Sequence, residues 1–185
     1  MVAPILLLLL SLAGLSLSIW VHGPVLSDPA LLAALCTLAS LLLVLRARLR
    51  PRPRYIVVDG SNVLHWRDET PSLETVRDVV AQLTAKGFVP VIWFDANVGY
   101  KVGDRYLGPA RLARKLGVPA RQVFVAPKGT PADPLLLEGA EALRAKVVTN
   151  DRFRDWTAQH PQIGEPGFLV PGRVRQGEIV VDTGA

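Results

Sequence analysis

Two uninterrupted apolar runs open this chain, and they set the first limit on how it folds. Residues 1–45 hold no Lys or Arg and a single acid, Asp28. Residues 2–21 (VAPILLLLLSLAGLSLSIWV) reach about 30 Å as a helix, the thickness of a bilayer core. A second run, residues 29–45, reaches roughly 25 Å, which suffices when arginines snorkel from its end. Arg46, Arg48, Arg50, Arg52 and Arg54 then follow. Trp20 and His22 stand where interfacial anchors belong. The pattern predicts two transmembrane helices as a hairpin over residues 1–45, an Arg/Pro-rich juxtamembrane linker over 46–54, and a globular domain over 55–185. The positive-inside bias puts both chain ends on the cytoplasmic side, a multi-pass arrangement in an inner or plasma membrane. A secretory signal peptide is the competing reading of the first run, but that run lacks a basic n-region and is long for an h-region.

The charge balance has the same origin. Residues 55–185 carry 16 basic and 15 acidic side chains, so the net +5 of the chain comes from the five clustered arginines. Contact with anionic lipid follows from that cluster, whereas nucleic-acid binding does not follow from the overall charge. Cys36 is the sole cysteine, which excludes an intrachain disulfide framework and a cysteine-based zinc site. Its place within an apolar run predicts a buried side chain.

Beyond the linker, short apolar runs alternate with amphipathic segments. Strands are expected over residues 55–59, 88–95, 122–126 and 146–149, with late candidates at 168–170 and 178–181. Helices are expected over 72–86, capped by Ser72 and stopped by Gly87, and over 109–116, 133–144 and 151–159. Such alternation defines an α/β sandwich around a mostly parallel sheet.

In an open α/β sheet, ligands bind beyond the carboxyl ends of the strands. Asp59, Asp95 and Asp151 stand at such ends, and Asp133 opens the helix after the third strand. Each alone reads as a helix cap or a solvated acid. Asp59 is harder to set aside, because an acid closing a buried strand is costly to desolvate. Several converging carboxylates repel one another, and a bound cation relieves that repulsion. In Asp59-Gly60-Ser61-Asn62 the glycine is expected to permit a sharp turn, while Ser61 and Asn62 place short polar groups beside the acid. Asp151 and Asp155, four residues apart, fall on one face of the expected helix.

The segments VVDGSNVLHW and VVTNDRFRDW, with Asp133 between them, resemble the NYN branch of the PIN-like nucleases. The nearest likeness is to the ribonuclease domain of the Regnase-type CCCH zinc-finger endoribonucleases, over residues 54–181. The resemblance implies a PIN-like three-layer sandwich and a Mg²⁺- or Mn²⁺-dependent endoribonuclease that cuts single-stranded or loop RNA. It implies catalytic roles for Asp59, Asn62, Asp133, Asp151 and Asp155, with the four aspartates as metal ligands. Two features depart from the family pattern. Ala132-Asp133 replaces a frequent Asp pair, and no zinc finger accompanies the domain.

Phosphate contacts are expected from Arg111, Arg114 and Lys115 on one helical face, and from Arg152 beside the acids. Trp66 and Tyr100 lie in loops suited to base stacking, although packing explains them equally well. RNA, the lipid bilayer and a second copy of the chain (a homodimer) are the expected partners. The alternative function is a membrane-tethered PIN-like module that binds RNA or protein without cutting, which the lost acid at Ala132 favours. A haloacid-dehalogenase-like phosphohydrolase also places an Asp after its first strand. It needs a second Asp two residues later, where this chain has Ser61. Nucleotide-binding glycine loops are absent.

Overall fold

Long runs rich in Leu and Ala favour the helix. In the computed structural model the two runs are helical, as α1 (Val2–His22) and α2 (Asp28–Leu49). The structure describes residues 2–22, 28–49, 52–67 and 70–184. The chain divides into two units, Met1–Arg52 and Pro53–Ala185. In the first unit, α1 and α2 are long and apolar enough to cross a membrane. Four of their hydroxyls donate within the helices, Ser11 to the Leu8 carbonyl, Ser16 to Leu12, Thr37 to Ala33 and Ser40 to Cys36, at 2.8–3.0 Å, while the buried Ser18 hydroxyl has no partner. Leu10 and Trp20 are 72 % and 85 % exposed. Cys36 is exposed too, contrary to expectation, because its side chain is not packed between the helices. α2 continues to Leu49, so Arg46 and Arg48 occupy its last turn, where cations offset the helix dipole. The connection at residues 23–27, the His22 side chain and Arg50 lie outside the described residues.

In the second unit β1 (Arg54–Asp59) is buried over its last four residues. The short helix α3 (Gly60–Val63) follows directly, then α4 (Leu73–Ala85), β2 (Phe88–Phe94) and α5 (Val98–Lys101). Next come α6 (Pro109–Leu116), β3 (Val123–Val125), α7 (Ala132–Leu143) and β4 (Lys146–Val148). The chain ends with β5 (Leu169–Val170), β6 (Gly172–Arg175) and β7 (Glu178–Val181). The first five strands form one sheet ordered β3-β2-β1-β4-β5, parallel throughout, and β6 and β7 form a separate antiparallel hairpin.

Strand alternation divides the core between the two faces of this sheet. Ile56, Val58, Ile92, Phe94 and Val148 meet Val76, Val79, Leu83, Leu112 and Leu116 of α4 and α6, with Ile179 and Val181 of the hairpin. Val57, Val91 and Val147 face Leu136, Leu137 and Ala140 of α7, with Phe153 and Ile163. Each Val or Leu taken wholly out of water contributes roughly 1.5–3 kcal/mol, so both faces must be covered for the sheet to be stable. The result is the expected three-layer α/β sandwich. Both core clusters are built from residues of this unit alone.

Local signals set the helix ends. Ser72 accepts the Glu74 N–H at 3.2 Å to start α4. Pro109 opens α6, and Gly117 closes it in the left-handed region at φ 72°. Two expectations fail. Residues 151–159 hold only a short 3₁₀ turn, Arg154–Trp156, so Asp151 and Asp155 do not share a helix face. The Asp151 carboxylate accepts the Phe153 N–H at 3.0 Å, and Phe153 adopts φ 46° to sink into the α7-side core at 2 % exposure. A left-handed residue cannot propagate a helix. Gly60, in turn, is helical rather than a sharp-turn glycine. A side chain there would drive into the Phe94 ring, so close approach is what requires glycine.

Candidate active site

The sheet order reverses direction at β1: the chain next builds β2 on one side and, after two crossovers, β4 on the other. The loops leaving β1 and β4 therefore diverge, and the crevice between them is where α/β sheets bind ligands. Asp59 ends β1 on one side of this crevice, and Asp151 follows β4 on the other.

Asp59 is only 7 % exposed. One carboxylate oxygen accepts the Asn62 backbone N–H at 3.1 Å, and the other accepts the Thr149 hydroxyl at 2.9 Å. The Thr149 oxygen in turn accepts the Asp151 N–H at 3.0 Å, which obliges its proton to point at Asp59. Burial pushes the Asp59 pKa up to about 6. The Asn62 and Thr149 bonds oppose that rise, and repulsion from Asp133 and Asp95 adds to it.

Asn62 ties the two loops together. Its side-chain oxygen accepts the Trp66 indole N–H at 2.7 Å and the Asn150 backbone N–H at 3.0 Å. With both lone pairs of that oxygen engaged, the amide N–H groups are the donors Asn62 presents. Asn150 continues the web by accepting the Gly172 N–H at 3.0 Å. Trp66 thus packs rather than offering a stacking face, with its ring so close over Gly172 that no side chain fits there. Tyr100, in α5, remains 62 % exposed.

Asp133 lies in the first turn of α7, but Pro131 holds the cap position, so Asp133 is not the helix cap. Its carboxyl is raised above the usual range, first by burial and then by repulsion from Asp151 and Asp95, while a Trp156 hydrogen bond opposes the rise. Asp95, just beyond β2, is therefore a fourth charge in the cluster that the site assignment by resemblance omitted. Its backbone N–H is held by Ser61 Oγ at 2.9 Å, and Lys101 stands 3.5 Å from its carboxylate. Its position at a strand end was the signal that could have found it.

Asp155 joins from the groove side. Asn62, Asn150, Asp151, Arg152, Arg154 and Asp155 line a shallow groove of about 540 Å³, so two arginines border the acids. Arg111, Arg114 and Lys115 are exposed on α6 and do not line this groove. Among the described residues no three Asp, Glu, His or Cys side chains converge tightly enough to enclose a metal directly. Mg²⁺ commonly takes one or two carboxylates and keeps several waters. The donor set, hard carboxylate oxygens of which two are raised in pKa first by burial and then by their neighbours' charge, fits such an ion.

A five-stranded parallel sheet sandwiched by helices, with acids at its switch point, has the architecture of a PIN-like NYN nuclease domain. Residues 52–165 match the sequence model of the Zc3h12a-like ribonuclease NYN domain, and the chain belongs to that family. β5–β7 lie beyond the matched segment. No curated protein matches the chain. Among solved structures, the fold is similar to that of nuclear proteinaceous RNase P 2 (PRORP2) from A. thaliana. One crystal structure of that protein is 13 % identical, with a TM-score of 0.56, over 94 % of this chain and 36 % of the other. Another structure is 16 % identical, with a TM-score of 0.52, over 84 % and 35 %. The chain thus spans about a third of the length of those proteins, and the likeness concerns the fold.

Proposed function

We infer that this chain is a divalent-metal-dependent endoribonuclease that cuts single-stranded or loop RNA. In this reading α1 and α2 anchor it in a membrane, with the globular unit on the cytoplasmic side. The observation that carries the catalytic part is the electrostatic cluster of Asp59, Asp95, Asp133 and Asp151 at the switch point of a ribonuclease-family fold. Asp59, Asp133, Asp151 and Asp155 are the residues that would hold Mg²⁺ or Mn²⁺, one or two of them directly and the others through waters that the ion keeps. The ion, when bound, supplies Lewis-acid polarisation of the phosphate and an activated water.

The chain's own residues do the remaining work. Thr149 and the Asn62 backbone orient the Asp59 carboxylate, and the Asn62 amide presents donors to a phosphate oxygen. Arg152 and Arg154 neutralise the RNA backbone beside the acids, and Arg111, Arg114 and Lys115 lengthen the track. The anchor is supported by the exposed apolar faces of α1 and α2 and by their length and hydropathy.

The test is incubation of the Pro53–Ala185 unit with fluorescent single-stranded RNA in Mn²⁺ or in EDTA, beside Asp59→Asn and Asp151→Asn. Internal cleavage that needs both metal and acids is expected. Cleavage in EDTA, or by the variants at the wild-type rate, would refute the assignment. Metal-independent RNA binding without product would establish the tethered binding module instead, the outcome that Ala132 favours. Sedimentation of the same fragment reads whether it forms a homodimer.

A further inference from the structure

A second built cavity lies at the opposite edge of the sheet. About 500 Å³ in volume, it is lined by Lys86, Lys146, Arg173 and Arg175, over the backbone of residues 169–171 and 180–184. Among the described residues, none of these four cations pairs with a carboxylate. The one acid at its wall, Asp182, turns a carboxylate oxygen onto the Gly184 N–H at 3.2 Å. The globular domain as a whole is close to neutral, with 16 basic and 15 acidic side chains over residues 55–185. Four cations around one cavity are therefore a local concentration, which the proposed nuclease chemistry does not use.

We propose that this cavity binds the phosphate of an anionic phospholipid headgroup and seats the amino edge of the sheet on the bilayer surface. The cavity walls are fixed in place. Lys86 Nζ donates to the Val181 carbonyl at 2.6 Å, and Lys146 Nζ to the Thr183 carbonyl at 3.2 Å. Each ammonium keeps further N–H groups for a ligand. Gln82 grips β7 from α4 through the Ile179 carbonyl at 2.9 Å and the Val181 N–H at 2.8 Å. The hairpin that carries Arg173 and Arg175 is thereby held against α4.

Location selects lipid over RNA. Because the sheet is parallel, all its strands begin at one edge. Arg54 pairs with Phe88, two residues after Lys86, and Ile56 pairs with Lys146. The chain enters the unit at this same edge, directly after the arginine-rich segment. The acids occupy the other edge, about 20 Å away along a six-residue strand. An RNA engaged at the acids has no need of this cavity, whereas a headgroup layer beside the chain's entry point does.

This inference rests on the reading of α1 and α2 as membrane-spanning, and its test separates the two. The Pro53–Ala185 unit has its own core on both sheet faces, so it is used without the helices. It is floated with vesicles of phosphatidylcholine alone or mixed with phosphatidylglycerol, in low and high salt, beside the doubly neutralised Arg173→Gln/Arg175→Gln. Binding only to the anionic vesicles is expected, weakened by salt. The double variant should partition roughly thirtyfold less, from the attraction of each cation to an anionic surface. Its melting temperature should be unchanged, since both side chains are exposed. Binding indifferent to lipid charge, or equal in the variant, overturns the proposal. Displacement by single-stranded RNA, with RNA affinity lost in the variant, also overturns it and assigns the cavity to RNA. Carbonate extraction of the full chain from membranes reads the anchor separately. Full chain retained with no charge-dependent fragment binding defeats this proposal alone. Full chain released while the fragment still binds anionic vesicles defeats the anchor alone.

Discussion

Replacing Asp59 by Asn should make the globular unit more stable while it removes activity. The folded protein holds this carboxyl at a pKa raised from 3.8 to about 6. At about 1.36 kcal/mol per unit, the ionised group costs the fold about 3 kcal/mol at neutral pH. The sign follows from proton binding. Between the two pKa values the folded state holds more protons than the unfolded chain, so this group's contribution falls as pH rises through that window. Below it both states are protonated and the penalty vanishes. Asn resembles the protonated acid in shape and charge, and its oxygen still accepts the Asn62 N–H. Its amide, however, faces the Thr149 oxygen, so the Thr149 proton loses its acceptor. That loss costs about 1 kcal/mol, which leaves a net gain of about 2 kcal/mol at neutral pH. Urea denaturation of Pro53–Ala185 in EDTA measures it, at neutral pH and again near the unfolded pKa. The gain should shrink or reverse in acid, and added Mn²⁺ should stabilise the wild type more than the variant. A variant less stable than wild type at neutral pH, or a difference that ignores pH, would refute the account of Asp59 as a strained, buried carboxylate.

Thr149→Val keeps the shape but deletes the hydroxyl between Asp59 and Asp151. It should cost about 1–3 kcal/mol in denaturant unfolding and move the rising limb of the cleavage pH profile upward, because Asp59 loses a bond that favours its ionised form. Phe153→Ala empties a core position that holds the Asp151 turn in shape. A loss of about 3–5 kcal/mol is expected in the same assay, with lower kcat from the loosened acid loop. Gly60→Ala forces a methyl group against Phe94. It should cost about 1–3 kcal/mol by overpacking and reduce cleavage more than an alanine at the open position Gly129, where only backbone strain is added.

Much of the fold was legible because it is written locally. Residues 109–116 carry a proline start and a glycine stop, and α6 has those bounds. The apolar runs at 55–59 and 88–95 become β1 and β2 to within a residue. The segment after β4 was misread as a helix for the opposite reason. Acid spacing and local propensity argued for one, but burial of Phe153 in the α7-side core overrode both. β6 went unread as well, since GRVR lacks an apolar run and its pairing partner is β7.

The candidate site divides along the same line. By itself the sequence determined that acids would stand at the ends of strands, since an Asp closing a buried apolar run has nowhere else to go. It also determined that residues 1–45 would form two long apolar helices. The tertiary structure alone decided which acids act on one another: Asp95 joins Asp59, Asp133 and Asp151, while Asp155 lines the groove beside them. It also decided that Thr149, 90 residues from Asp59, sets that carboxylate's orientation, and that Asn62 reaches Asn150 across the switch point. Caps and periodicity act within a few residues, so the chain carries them wherever it is read. Burial and charge repulsion depend on which distant segments the sheet order brings together, and they exist only once it has formed.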